Sequence, residues 1–238
     1  MSTVAVLKQR SEYTHKHNID AGRHGWLRLT PAYSVKVVDE LLREEDPAAT
    51  VFDPFCGTGT TALTASYLGH NAITTDNRMS YIRELRPYMY WLGYLTDAKQ
   101  ASSLDWEAIG GTWGSATSKL TTWTSGISTY QSSVLPSILK SIASPGNANG
   151  QLLANYVEKY FCDTHLHLTN LREVLNNRAK ITYIVGNSTF YGTILPVETL
   201  YKEIMETVGF REVIIKPLRK RNSKKELIEF SISATWKC

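Results

Sequence analysis

The chain has 238 residues, of which 42% are hydrophobic and 20% are charged, and its formal net charge at pH 7 is +4. These proportions exclude a disordered or fibrous protein and are typical of a globular one that is long enough to bury a full core. No stretch approaches the roughly 18 apolar residues of a membrane span, and the N-terminal stretch lacks the apolar run of a signal peptide. The small positive charge permits a polyanionic partner without requiring one.

Three cysteines, Cys56, Cys162 and Cys238, lie far apart in the sequence. An odd number of widely spaced cysteines argues against a disulfide framework and against a zinc site. It fits the reducing conditions of the cytoplasm. We therefore expect a cytoplasmic protein without a metal ion.

The first predicted elements form a βαβ unit. Apolar residues recur at helical spacing in 34–44, so a helix is expected there. Residues 49–54 are typical of a short buried strand, 60–68 of a helix, and 71–75 of a second strand that ends at Asp76. A strand, a glycine turn, a helix and a strand in this order predict one unit of a parallel sheet.

The later elements alternate in the same way. In chain order they are a helix over 151–175, a strand over 181–185, a turn over 186–188, a helix over 199–208 that stops at Gly209, and strands over 212–215 and 227–235. Residues 1–23 are polar and are expected to form an N-terminal arm. Residues 101–150 are rich in Ser, Thr, Gly and Trp without a clear period, and we interpret them as an irregular excursion within a single domain over 1–238.

The run DPFCGTGTT over 53–61 indicates a ligand other than a phosphate. No lysine follows Gly59, as a phosphate-cradling loop would require. The dinucleotide pattern is met only through Ala62 at its third position, and Asp53 with Pro54 leaves fewer amides for an anion. A carboxylate at a strand end favours a ligand that brings its own cation, such as S-adenosylmethionine, which could pass over Gly57 and Gly59 because no Cβ blocks it. A glycine-rich turn without any ligand is the alternative.

The same run resembles the cofactor-binding motif of the DNA amino-methyltransferases, which methylate cytosine at N4 or adenine at N6. This resemblance implies an α/β fold, a doubly wound Rossmann-like methyltransferase sheet whose last strand is antiparallel. It also implies S-adenosylmethionine as cofactor, double-stranded DNA as partner, and direct transfer to a flipped base without a metal. The segment NRMSYIREL, over 77–85, favours cytosine N4 over adenine N6.

Several residues are predicted to bind the cofactor. HGWLRLTPAYS, over 24–34, is similar to the family's second cofactor motif, although capping of the following helix explains its hydroxyls equally well. Asp76 is placed to accept the ribose hydroxyls, and the alternative is a solvated turn acid. Asn187 either lines the pocket or belongs to a left-handed turn. The full set is Thr30, Ser34, Asp53, Phe55, Cys56, Gly57, Gly59, Thr60, Asp76 and Asn187.

The family's catalytic motif, a polar residue followed by Pro-Pro-Tyr/Phe, is absent from the 238 residues. One interpretation is that a stretch is missing between Asp76 and Asn77, including one or two central or edge strands of the sheet. The other makes Asp76 a degenerate catalytic acid. With a strand missing, we expect residues 51–53 to pair with 181–185, or a distorted substitute from 120–135; the third option is an edge that stays open for a partner.

DNA contacts are predicted in two basic segments. The first contains Arg78 and Arg83, and its aromatic residues, among them Tyr90 and Trp91, are assigned to the core rather than to a base-stacking surface. The second, over 216–226, is interpreted as a hairpin loop whose candidate residues are Lys220, Arg221 and Lys224. For the first segment the alternative is a helix whose arginines pair with Glu84 on the surface, and for the second it is a solvated charge run. The predicted function is DNA amino-methylation. The alternative is an inactive remnant that still binds the cofactor or DNA, or half of a split enzyme that another polypeptide completes.

Overall fold

The computed structural model describes residues 10–20, 22, 33–57, 59–75, 89–110, 119–125, 131–221 and 227–237. The chain divides into two compact units, one over 10–115 and the other over 116–238 together with 1–9. The organisation of the whole chain as one domain stays a prediction.

The first unit contains the predicted βαβ arrangement. Its elements are α1 (Val35–Leu42), β1 (Thr50–Asp53), α2 (Thr60–Tyr67), β2 (Asn71–Thr74) and α3 (Ala98–Glu107), preceded by short 3-10 turns over Ser11–Tyr13 and His15–Asp20. Strands β1 and β2 are parallel, with Val51 opposite Ala72 and Phe52 opposite Ile73. The prediction of a strand, glycine turn, helix and parallel strand is confirmed.

Helix α1 packs through the face that its apolar spacing predicts. Val37 and Val38 are buried, and so is Tyr13 of the first 3-10 turn. The Tyr13 hydroxyl donates a hydrogen bond to Glu40 Oε2 at 2.7 Å, which ties this turn to α1. Helix α2 ends where Gly69 adopts a φ of +85°, a left-handed conformation that glycine tolerates best.

The two-stranded sheet of this unit is exposed on part of its surface. Every residue of β2 is solvent-exposed, and Ile73 keeps 56% of its accessible surface. Its neighbour Phe52 on β1 keeps 39%. Neighbouring residues of parallel strands lie on the same face. The sheet therefore presents an apolar face that the described part of its own unit leaves open.

The second unit is built on a three-stranded sheet. Its elements are α4 (Leu135–Ile142), α5 (Gly150–Leu171), β3 (Lys180–Gly186), β4 (Ser188–Phe190), β5 (Thr193–Leu195), α6 (Val197–Val208), β6 (Arg211–Lys220) and β7 (Ile228–Thr235). The strand order is β3-β7-β6, and β7 is antiparallel to both neighbours. The expectation that the last strand runs antiparallel is confirmed.

The core of the second unit lies between this sheet and its helices. Helix α5 supplies Phe161 and Leu168, and α6 supplies Leu200, Ile204 and Met205, all of them essentially inaccessible to solvent. Ile232 of β7 is equally buried. Helix α6 ends at Gly209, whose φ of +106° suits only glycine well, and the predicted stop is confirmed.

Three expectations need correction. Residues 101–150 are not irregular throughout, because they include the end of α3 and the whole of α4. Residues 186–188 form no isolated turn, since Gly186 ends β3 and Ser188 begins β4. Among the described strands, β1 pairs with β2 and β3 pairs with β7, so the expected direct pairing of β1 with β3 is wrong for this structure.

The described strands form three sheets of two, three and two strands, the last being the β4–β5 hairpin. The α/β class is confirmed, and a doubly wound Rossmann-like sheet stays a prediction. Among the described residues, no helix has both the length and the apolar composition needed to cross a bilayer.

Candidate cofactor site

The glycine turn joins β1 to α2 and folds back on the end of β2. The amide of Thr75 donates to the carbonyl of Asp53 at 2.9 Å, and the amide of Cys56 donates to the carbonyl of Thr75 at 3.0 Å. These two bonds continue the parallel pairing of the strands beyond their ends. The turn therefore lies at the carboxyl ends of two parallel strands, where α/β folds commonly bind ligands.

Two glycines give this turn its shape. Gly57 has a φ of +52° and Gly59 a φ of +80°, both in the left-handed region. Among the described residues, a Cβ added at Gly57 would meet only the carbonyl oxygen of Phe55, at 3.9 Å, and one at Gly59 would meet only Cys56 Sγ, at 4.0 Å. The backbone conformation favours glycine, and the described residues leave the space beside both glycines open to a ligand.

Asp53 shapes the turn from inside. Its side chain is buried, and its Oδ1 accepts a hydrogen bond from the amide of Phe55 at 2.9 Å. Its Oδ2 accepts a hydrogen bond from the hydroxyl of Tyr33 at 3.4 Å. The carboxylate thus fixes the first residues of the turn and places a negative charge beneath it.

Tyr33 connects this carboxylate to helix α2. Its hydroxyl lies 2.8 Å from Thr61 Oγ1 as well as 3.4 Å from Asp53. Because a carboxylate only accepts, the Tyr33 proton points to Asp53 and Thr61 donates to the tyrosine oxygen. Burial, followed by the charge of Asp53, raises the pKa of Tyr33 far above its usual range, so the phenol stays protonated.

Sequence reasoning missed Tyr33, although it lies in the predicted cofactor motif next to Ser34. Ser34 is fully buried, and its hydroxyl donates to the carbonyl of Glu12 at 2.5 Å. The first turn of α1 is capped by Asn18 instead, whose Oδ1 accepts from the amide of Val35 at 2.9 Å. Ser34 therefore anchors the N-terminal arm to α1 in this structure.

The remaining predicted residues of the turn lie where the motif places them. Thr60 is buried at the start of α2, and its carbonyl accepts from Thr64 Oγ1 at 2.8 Å. Phe55 and Cys56 are half-buried. Thr30, Asp76 and Asn77 lie outside the described residues. Within the described part of the chain, no group of three or more potential metal ligands occurs.

Asn187 belongs to the second unit and holds the ends of β3 and β7 together. It is buried, its Oδ1 accepts from the amide of Ile228 at 2.8 Å, and its own amide donates to the Ile228 carbonyl at 3.2 Å. Its carbonyl accepts from Arg221 Nη1 at 3.1 Å. These contacts give Asn187 a structural function, and it is not in a left-handed turn.

The candidate DNA-contacting residues are partly described. Lys220 ends β6 and Arg221 follows it, whereas Arg78, Arg83 and Lys224 lie outside the described residues. Tyr90 keeps 37% of its surface and Trp91 keeps 82%. The assignment of these two aromatic residues to the core is therefore wrong.

Comparisons with known proteins find similarity in the N-terminal third of the chain. Residues 9–86 match the sequence family described as DNA methylase, of the N6/N4 type. The Type II methyltransferase M.BsoBI of Geobacillus stearothermophilus is 36% identical over 69 residues, which are 28% of this chain and 14% of that relative. The chain thus matches only a small part of the relative's length, and no solved structure matches the chain. The family match includes α1, the glycine turn and β2.

Proposed function

We propose that this chain, whose residues 9–86 match the N6/N4 DNA methylase family, binds S-adenosylmethionine at the glycine turn. We further propose that it transfers the methyl group to an exocyclic amine of double-stranded DNA, with cytosine N4 favoured over adenine N6. The preference for N4 is supported by the NRMSYIREL segment alone. A cytoplasmic location and one domain over the whole chain are part of the same proposal.

The observation that carries the proposal is the glycine turn. Among the described residues, Gly57 and Gly59 leave open space at the carboxyl ends of β1 and β2, and they do so inside the segment that matches the family. Asp53 adds a buried negative charge below the turn, and a cationic ligand suits that charge. S-adenosylmethionine carries a sulfonium and an ammonium and has no phosphate for a lysine to neutralise.

The residues proposed to hold the cofactor have distinct tasks. Gly57 and Gly59 allow close approach to the backbone, and Asp53 keeps the turn in shape. Asp76 directly follows Thr75, the last described residue at the end of β2, and is proposed to accept the ribose hydroxyls. The start of α1 is proposed to face the methionine carboxylate, since helix N-termini favour anions. When bound, the cofactor supplies an activated methyl group.

The test has two steps. Isothermal titration calorimetry of the full chain with S-adenosylmethionine measures binding, and saturable 1:1 binding is the expected result. Incubation with duplex DNA and methyl-labelled cofactor, followed by nucleoside analysis, then identifies N4-methylcytosine or N6-methyladenine. Failure to bind the cofactor would overturn the whole proposal. N6-methyladenine as the product would overturn only the choice of base.

A second candidate is an inactive or split remnant of such an enzyme. It is favoured by the absence of consecutive prolines from all 238 residues, which removes the motif that clamps the target base. The apolar face around Phe52 and Ile73 is the kind of surface that a complementing polypeptide would cover. Cofactor binding without methyl transfer by the purified chain, with transfer restored by a neighbouring gene product, is the expected behaviour of a split enzyme. Transfer by the chain alone would exclude it.

A further inference from the structure

The β4–β5 hairpin of the second unit has an unusual residue at its tip. The strands pair through Phe190 and Thr193, so the connecting turn consists of Tyr191 and Gly192. Their φ values are +49° and +80°, the combination that a type I′ hairpin turn requires. Asn or Asp is the usual first residue of such a turn, and a bulky side chain is disfavoured there. Tyr191 therefore occupies a position that another residue would fill at a lower conformational cost.

Packing of the tyrosine ring into the core does not offset this conformational cost. Tyr191 keeps 47% of its surface exposed, and Ile194 of the same hairpin keeps 43%. The hairpin is anchored by other residues, since Phe190 packs against the core cluster and Leu195 belongs to it. The tip thus presents an aromatic ring to solvent on a short, anchored support.

Arg221 lies at the end of the same hairpin that is next to Asn187. Arg221 Nη1 donates to the carbonyl of Asn187, the residue immediately before β4, and Lys220 precedes Arg221 in the chain. The guanidinium also covers Gly186, where an added Cβ would lie 3.0 Å from Nη1. Arg221 remains solvent-exposed despite these contacts.

The neighbouring arginine is not part of this basic group. Arg219 Nε lies 2.7 Å from Glu229 Oε2, and its Nη2 lies 3.1 Å from Oε1 of the same carboxylate. This two-pronged ion pair between β6 and β7 neutralises its charge. Arg221 therefore supplies a positive charge next to the hairpin, and Lys220 adjoins Arg221 in the chain.

We propose that the hairpin Ser188–Leu195 together with Lys220 and Arg221 forms a DNA-contacting surface, in which Tyr191 stacks on a base and the two cations contact backbone phosphates. This inference rests on the proposed function, because it assigns a contact surface for the same DNA substrate. Aromatic rings beside cations are the combination that proteins use for unstacked bases and phosphates. The three residues of a hairpin strand place Tyr191 about 10 Å from the Asn187 end of the hairpin, which corresponds to roughly three base-pair steps along one DNA strand.

The decisive variant is Tyr191→Asn, because it removes the ring and keeps the turn. Asn followed by Gly is the preferred pair for a type I′ turn, so this variant should be at least as stable as the wild-type protein. Its affinity for a fluorescent DNA duplex, measured by anisotropy, should fall about tenfold if one base-stacking contact is lost. Tyr191→Phe keeps the ring and should bind like the wild-type protein.

A matched pair of charge variants tests the basic residues. Lys220→Gln should weaken binding and reduce the slope of log affinity against log salt by about one. Lys202→Gln removes a lysine of α6 whose Nζ lies 3.7 Å from Glu206 Oε1, and should change neither quantity. Equal effects of the two substitutions would show that net charge alone determines binding and would overturn the assignment of Lys220.

The outcomes separate this inference from the proposed function. Wild-type binding of DNA with undiminished binding by Tyr191→Asn overturns the hairpin proposal and leaves DNA methylation standing. Absence of DNA binding by the wild-type protein, with cofactor binding intact, overturns the DNA substrate itself and the hairpin proposal with it. A loss confined to Tyr191→Asn and Lys220→Gln supports both.

Discussion

The hydroxyl of Tyr33 lies 3.4 Å from Oδ2 of Asp53, and this contact links the segment before α1 to the end of β1. The same hydroxyl contacts Thr61 Oγ1 at 2.8 Å, in the first turn of α2. One side chain thus connects the two ends of the glycine turn. The shape of the turn depends on a residue that lies 20 positions earlier than Asp53 in the chain.

Replacing Tyr33 with Phe should loosen the glycine turn without emptying the space that the ring fills. The variant loses both hydrogen bonds and leaves Oδ2 of Asp53 without this donor. We expect the free energy of unfolding to fall by ~1 kcal/mol, the usual net value of such a bond, as measured by urea denaturation. Cofactor affinity should fall as well. A variant with unchanged stability and unchanged affinity would show that the Tyr33 contact has no part in shaping the site.

Replacing Asp53 with Asn tests whether its charge acts on the cofactor. The amide oxygen can still accept the Phe55 amide, so the turn should persist. We expect S-adenosylmethionine to bind about tenfold more weakly, equivalent to ~1.4 kcal/mol, because its sulfonium loses a nearby negative charge. S-adenosylhomocysteine, which lacks the sulfonium charge, should lose less affinity. Equal losses for both ligands in calorimetry would limit Asp53 to a structural task.

Gly57→Ala tests the open space beside the turn, and Gly69→Ala is its matched control. Both glycines have positive φ values, and no atom of the described residues lies closer than 3.9 Å to an added Cβ. Each substitution should therefore destabilise the protein by a similar amount, ~1–2 kcal/mol. Only Gly57→Ala should abolish cofactor binding, because Gly69 lies at the opposite end of α2. Comparable binding by the two variants would remove Gly57 from the site.

The stability of the protein should fall in mild acid through His167. Its Nε2 lies 2.6 Å from the Tyr183 hydroxyl, between α5 and β3, and burial lowers the pKa of His167. The unfolded chain therefore binds a proton more readily, so stability is complete above the unfolded pKa of about 6.5 and decreases as the pH falls through it. Urea denaturation at pH 7.5 and 5.5 measures the difference.

Two substitutions, His167→Gln and His165→Gln, test this assignment. Burial, and then the nearby charge of Arg172, also lowers the pKa of His165, so each variant should remove part of the pH dependence. If neither substitution alters the loss of stability between the two pH values, the assignment to these histidines is wrong.

The sequence predicted the local parts of the site well. The strand, the glycine turn and α2 follow from residues that are adjacent in the chain, and their bounds differ by one or two positions from those expected. The contact of Tyr33 with Thr61 could not be predicted in this way, since it depends on tertiary packing across 28 positions. A tyrosine beside Pro31 and Ser34 gives no sign of which hydroxyl it will meet.

Two missed elements show other limits. Helix α4 has its buried residues at Leu135, Ile138 and Ile142, a helical spacing that the surrounding Ser- and Gly-rich composition obscures. The β4–β5 hairpin has Tyr-Gly at its turn rather than Asn-Gly, so the usual sequence signal is absent. The exposure of Trp91 was unexpected because large aromatic residues are more often buried.

The small parallel sheet of the first unit has a consequence for hydrogen exchange. In the described structure β1 and β2 pair only with each other, whereas β7 is paired on both sides and contains the fully buried Ile232. Amides of β7 should exchange only through extensive unfolding, and those next to the glycine turn through smaller, more frequent openings. A ligand that binds only the closed turn slows such openings by the factor 1 + [L]/Kd. The exchange rates of the Cys56 and Thr75 amides, both hydrogen-bonded across this sheet, therefore report cofactor affinity without any catalytic turnover.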